Sequence, residues 1–126
     1  MKPKILILDD QAQYLRSLAR ALRTDYDLAL ASTMDEAKRM LSEGISLVLT
    51  DICLDEASAD DRQGIEFIRF VHSHRPAVPV IVMSAIDSPE IKDTSLVAGA
   101  TQFLRKPILV SSLRKLIEKL VGESSS

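Results

Sequence analysis

Leu47-Val48-Leu49-Thr50-Asp51-Ile52-Cys53 is the stretch that decides how the rest of the chain is read. It is a short apolar run that stops at a carboxylate. Continuous rather than alternating apolarity marks a strand buried on both faces, the habit of parallel sheets. In open α/β sheets the carboxyl ends of the strands form the ligand-binding edge, so the run places Asp51 there. Other apolar runs also end in chemically useful residues: Ile5 to Leu8 in Asp9-Asp10, Val78 to Met83 in Ser84, and Ala100 to Arg105 in Lys106-Pro107.

Between these runs the pattern turns helical. Leu15, Leu18, Ala19 and Leu22 recur at i, i+3, i+4 and i+7 after Gln11, with arginines elsewhere on the surface. After a weaker strand, Leu28 to Ala31, Thr33-Met34-Asp35-Glu36 reads as a capping box, with Gly44 as the stop. A polar, acidic stretch from Asp55 to Gln63 runs to Gly64, and a third helix follows with Ile65, Ile68 and Val71 on the core side and Phe67 beside them. Ser88-Pro89 opens a fourth helix, whose clearest apolar positions are Ile91 and Val97 and which Gly99 closes. Leu113, Leu116, Ile117, Leu120 and Val121 make the stripe of the last helix. Strict alternation of strand and helix predicts one doubly wound parallel sheet with helices on both faces.

The chain has 126 residues, the size of one domain, and 46% hydrophobic residues, a globular composition. The expected domain covers residues 1–122, with 123–126 as a disordered tail. A formal charge of −2 gives no basic bias toward nucleic acid. The single cysteine, Cys53, rules out an intramolecular disulfide and fits a reducing cytosol. No apolar run is long enough for a membrane span, and the N-terminus does not read as a signal peptide. The expected location is cytoplasmic.

Asp9, Asp10 and Asp51 all fall at strand ends, and share one pocket if the first and third strands are neighbours. Two carboxylates ~4 Å apart repel by about 4 kcal/mol at an effective dielectric near 20. The cluster therefore needs a cation, or one carboxylate must stay protonated. All-oxygen ligation suits Mg²⁺, which keeps waters and binds phosphate oxygens. Zinc lacks a His/Cys set. A carboxylate beside such an ion can act as a nucleophile toward phosphorus, with Lys106 as a fixed positive charge and Ser84 as a hydroxyl donor.

The order Asp9-Asp10, Asp51, Ser84-Ala85, Lys106-Pro107, with Ala98-Gly99-Ala100 before the fifth strand, resembles the receiver domain of bacterial two-component response regulators. The resemblance covers about Lys4 to Val121. It implies a flavodoxin-like sheet of order 2-1-3-4-5, with Asp51 as phosphoacceptor from a sensor histidine kinase, a histidine phosphotransfer protein or a small donor such as acetyl phosphate. It implies that Asp10 ligates Mg²⁺ directly, Asp9 mainly through water, and that Asp51 and the Cys53 backbone carbonyl complete the set. Ser84 would reorient onto the phosphoryl group, Lys106 would pair with it, and Phe103 would be the aromatic switch. The fourth helix, fifth strand and fifth helix would form the output face toward a downstream target, an output domain or a second copy in a phosphorylation-dependent homodimer. The Lys106-Pro107 bond is expected to be cis. Neither direct nucleic-acid binding nor a membrane partner is implied, and the only reaction would be the domain's own phosphorylation and dephosphorylation.

Three departures individualise the chain. Thirteen positions separate Asp51 from Gly64, longer than the family's usual turn, and loop 54–63 is acidic and lacks the turn proline. The switch aromatic is Phe103 rather than tyrosine. The resemblance implies that Cys53 and Ile86 stand at the positions flanking the acceptor site that tune self-dephosphorylation in the family; neither side chain is well suited to orient an attacking water, which predicts a long-lived phosphorylated state. Each motif alone has a plainer reading: a polar loop for Asp9-Asp10, a turn for Asp51, a cap for Ser84, core packing for Phe103, a solvated lysine for Lys106. His72 and His74 do not share a helix face and read as solvated, as do Arg114, Lys115 and Lys119. Two alternatives stand beside the leading one. A phosphorylation-independent binding scaffold keeps the fold but not the chemistry. An aspartyl-phosphate phosphatase of the haloacid-dehalogenase kind needs a second acid where Cys53 stands.

Overall fold

The alternation folds as ten elements in order: β1 (Lys4–Leu8), α1 (Ala12–Leu22), β2 (Asp27–Ala31), α2 (Met34–Met40), β3 (Ile45–Asp51), α3 (Arg62–His74), β4 (Val80–Ser84), α4 (Pro89–Ala98), β5 (Gln102–Arg105) and α5 (Val110–Ser125). The computed structural model describes residues 2–42, 44–52, 62–85 and 88–125. The strands pair in parallel in the order β2-β1-β3-β4-β5. β1 and β3 are neighbours, which sets Leu8 opposite Thr50 and brings Asp9-Asp10 beside Asp51.

Side chains alternate across a strand, and that period divides the core in two. Leu6, Leu8, Val48, Val80 and Val82 face α2, α3 and α4. Ile5, Ile7, Leu47, Leu49, Ile81 and Met83 face α1 and α5, where Leu15, Leu18, Leu22, Leu113, Ile117 and Val121 meet them. Because both faces are covered, the central strands carry no polar alternation.

Local chemistry departs from the sequence expectations at several helix ends. Thr33 caps α2 by accepting from the Glu36 N–H (3.2 Å), but the Glu36 carboxylate turns to Ser32, accepting from its N–H (3.2 Å) and its hydroxyl (2.9 Å). α2 ends at Met40, with Leu41 already extended, so Gly44 is not its stop. Gly64 does not end the loop either: it lies inside the first turn of α3. A Cβ there would stand 2.0 Å from the Ile52 carbonyl oxygen, so glycine is what lets α3 approach the end of β3. On α4, Val97 is 86% exposed while Ser95 and Ala98 are buried. Burying Ser95 is tolerable because its hydroxyl donates to the Ile91 carbonyl (2.8 Å). Gly99 terminates α4 at φ 124°, as expected of a glycine cap.

Arg114 is not simply solvated. It donates to the Ala21 carbonyl and pairs with Asp25 at 2.5 Å, tying α5 to the end of α1. The α5 backbone is helical to Ser125.

Candidate functional site

The site is assembled from the ends of β1, β3, β4 and β5. Asp9, Asp10 and Asp51 each offer a carboxylate oxygen, and these oxygens lie within 4.8 Å of one another. Asp9 and Asp51 are buried, while Asp10 is partly open to solvent. Lys106 reaches in from the end of β5: its ammonium lies 2.9 Å from Asp9 Oδ2 and 3.4 Å from Asp51 Oδ2. The Lys106 backbone is held as well, its N–H donating to the Ser84 carbonyl (2.8 Å). The Lys106-Pro107 bond is cis, as the resemblance implied.

Charge explains why the ammonium stays ionised in this place. Burial works to lower the Lys106 pKa, but the hydrogen bond to Asp9 and the charges of Asp51 and Asp9 outweigh it, and the net shift is upward. Asp9 has two engagements: Oδ2 on Lys106, and Oδ1 accepting from the Gln11 N–H (2.9 Å) at the start of α1. Gln11 offers no side-chain cap, so the Asp9 carboxylate takes up one of that helix's orphan donors.

Ser84 is fully buried at the end of β4. Thr50, also buried, donates its hydroxyl to the Asp51 carbonyl (3.0 Å). Phe103 is half-buried and packs against the core layer shared by α3 and α4. Of the residues singled out from the sequence, Asp9, Asp10, Asp51 and Lys106 are brought into one cluster, with Ser84 at the adjoining strand end and Phe103 two positions before the end of β5. Cys53, Ile86 and loop residues 54–61 lie outside the described residues. Tyr14 was not singled out: its ring lies under the Lys106 ammonium, 4.3 Å from ring centroid to nitrogen. Its place at a partly apolar position of α1 gave no sign of that partner.

The donor set fits a hard divalent cation. Three carboxylates supply only oxygen, with neither imidazole nor thiolate among them. Asp10 is the most open of the three, and Asp9 is already committed to Lys106 and Gln11.

The chain is similar to known proteins over nearly its whole length. A family model described as the response regulator receiver domain matches residues 5–118. The transcriptional regulatory protein ZraR of Escherichia coli is 31% identical over 124 residues, which are 97% of this chain and 27% of that protein. The response regulator protein PilR of Pseudomonas aeruginosa is 31% identical over 92% of this chain and 25% of its own length. The chain thus spans about a quarter of these relatives. Among solved structures, a CheY-like response regulator receiver domain protein from Methanospirillum hungatei superposes with a TM-score of 0.89 at 28% identity, covering 99% of this chain and 98% of its own.

Proposed function

Because the chain belongs to the response regulator receiver domain family, we propose that Asp51 is its phosphoacceptor and that Mg²⁺ is its cofactor. An Asp51 carboxylate oxygen forms a bond to phosphorus as the bond from phosphorus to the donor breaks. The electron pair leaves with the imidazole of a phosphohistidine, or with acetate when acetyl phosphate is the donor. The observation that carries this reading is the convergence of three carboxylates and one lysine ammonium at the carboxyl edge of a parallel sheet.

Phosphoryl transfer asks a protein mainly for positioning and charge neutralisation. Bound Mg²⁺ offsets the repulsion between the carboxylates and the incoming phosphoryl oxygens. Asp10 and Asp51 would hold it directly, which the openness of Asp10 supports, while Asp9 would act from behind, and the Cys53 carbonyl would complete the set. Lys106 is already near Asp51 and exchanges a carboxylate partner for a phosphoryl oxygen. Ser84 supplies a hydroxyl to the same group, and Phe103 moves further into the space the hydroxyl vacates. The input partner is a sensor histidine kinase or a phosphotransfer protein. The output is read on α4, β5 and α5, where Leu96, Val97 and Val110 stand exposed, with Leu109 exposed just before α5, by a downstream target, an output domain or a second copy. The chain turns over no separate substrate and works in the cytoplasm; among the described residues no helix is long and apolar enough to cross a membrane.

The test is incubation with acetyl phosphate and Mg²⁺ followed by intact-mass measurement. Wild type gains one phosphoryl group and Asp51→Asn gains none. Equal labelling of both proteins, or labelling of neither, overturns the reading.

A further inference from the structure

A lysine ammonium is a compact charge on a flexible four-carbon stem, and such a group needs more than one contact to be held where a reaction wants it. Lys106 has its carboxylate partners on one side. On another lies Tyr14, from the first turn of α1, with its ring centroid 4.3 Å from Nζ. The negative face of an aromatic ring attracts a cation, most strongly where water is excluded, and the Lys106 side chain is only 11% exposed.

We propose that Tyr14 is a positioning residue for Lys106, its ring seating the ammonium that faces Asp51. The proposal rests on the phosphoacceptor reading above and adds a residue to it. Geometry closes a small circuit. Asp9 binds the Lys106 ammonium through Oδ2 and the Gln11 N–H through Oδ1. Gln11 begins α1, α1 carries Tyr14, and the Tyr14 ring returns to Lys106. Burial pushes the Tyr14 phenol upward in pKa despite the nearby ammonium, so at neutral pH the ring meets Lys106 as a neutral quadrupole and not as a second anion. Tyr14 also touches the core layer between the sheet and α1 and α5, and simple packing is the competing account. Packing alone needs volume at this position, whereas seating a cation needs an aromatic face.

The experiment compares wild type, Tyr14→Phe and Tyr14→Leu as full chains. Initial rates of phosphorylation by acetyl phosphate are followed by intact mass at saturating Mg²⁺. In parallel, the Lys106 ε-methylene protons are assigned by NMR in wild type and Tyr14→Phe. Tyr14→Phe keeps the ring and should stay within about twofold of wild type, while Tyr14→Leu should fall about tenfold. The ε-methylene signals of wild type and Tyr14→Phe should be displaced upfield by the ring current. A Tyr14→Leu rate equal to wild type, or a Tyr14→Phe rate as low as that of Tyr14→Leu, overturns the proposal. If Tyr14→Leu does not fold, the NMR arm decides, because ordinary ε-methylene shifts overturn it. If wild type itself is not labelled, the phosphoacceptor reading has failed, and the NMR arm still reports separately whether the ring seats the ammonium.

Discussion

Neutralising Asp10 should stabilise the metal-free protein. The Asp10 oxygen lies within 4.8 Å of oxygens from Asp9 and Asp51. At that separation each like-charged pair repels by about 3.5 kcal/mol at an effective dielectric near 20, and by about 0.9 kcal/mol if water screens it fully. Lys106 offsets part of this, but its ammonium is shared between Asp9 and Asp51, and Asp10 is partly solvated. Weighing two repelling neighbours against solvent and one shared cation, Asp10→Asn should gain about 1–3 kcal/mol in EDTA. For a domain of this size that raises Tm by about 4 °C or more. Mg²⁺ should reverse the order. A ligand at a hundredfold excess over its Kd adds about 2.7 kcal/mol to the form that binds it, and the variant has lost a ligand. The assay is thermal and urea unfolding of both proteins, with EDTA and with Mg²⁺, and the exposed Asp93→Asn as a control expected to stay within about 0.5 kcal/mol. Two results would refute the reasoning: Asp10→Asn less stable than wild type in EDTA, or Mg²⁺ stabilising both proteins equally.

Gly64→Ala should cost about 1–3 kcal/mol or more by urea denaturation, because the new Cβ would stand 2.0 Å from the Ile52 carbonyl oxygen and α3 must withdraw. The same variant should phosphorylate more slowly, since Ile52 directly follows the acceptor. Glu36 is held below its ordinary pKa by the Ser32 hydroxyl and N–H, with a smaller share from Thr33. A depressed folded-state pKa stabilises above the unfolded value and loses that contribution as pH falls through the folded value. Glu36→Ala should therefore be less stable than wild type at pH 7, and the gap should close on acidification below the usual glutamate pKa; a gap independent of pH would contradict this. With Cys53 two residues after Asp51 and Ile86 two residues after Ser84, the phosphorylated form should persist for minutes or longer after the donor is removed, as intact mass would read. Decay within seconds would exclude that account.

Much of this was legible because burial writes itself directly into parallel strands. Leu47 to Leu49 and Val80 to Met83 are apolar at every position since each pleat face meets a helix layer. The polar residues that interrupt them, Asp51 and Ser84, therefore mark strand ends, and Asp9-Asp10 follows directly from β1. What the pattern could not convey was compensation through hydrogen bonds and close approach. Ser95 is buried and Val97 exposed because a serine hydroxyl can pay its own helix carbonyl. Gly64, which reads as a loop terminator, is instead a contact point in α3, fixed by a backbone far from it in the chain. Ser32 rather than Thr33 receives the Glu36 carboxylate through its backbone N–H, a choice one residue wide that spacing does not resolve. The meetings of Tyr14 with Lys106 and of Asp25 with Arg114 join distant segments. No local periodicity announces them.

The claim on which the account turns is that phosphorylation occurs at Asp51 itself. An acyl phosphate is reduced by borohydride to an alcohol, so an aspartyl phosphate becomes homoserine and can be located by tandem mass spectrometry. After acetyl phosphate and Mg²⁺ treatment, borohydride should place homoserine at position 51 and leave Asp9 and Asp10 as aspartate. Homoserine at another position, or none in a protein that has gained phosphoryl mass, would contradict it.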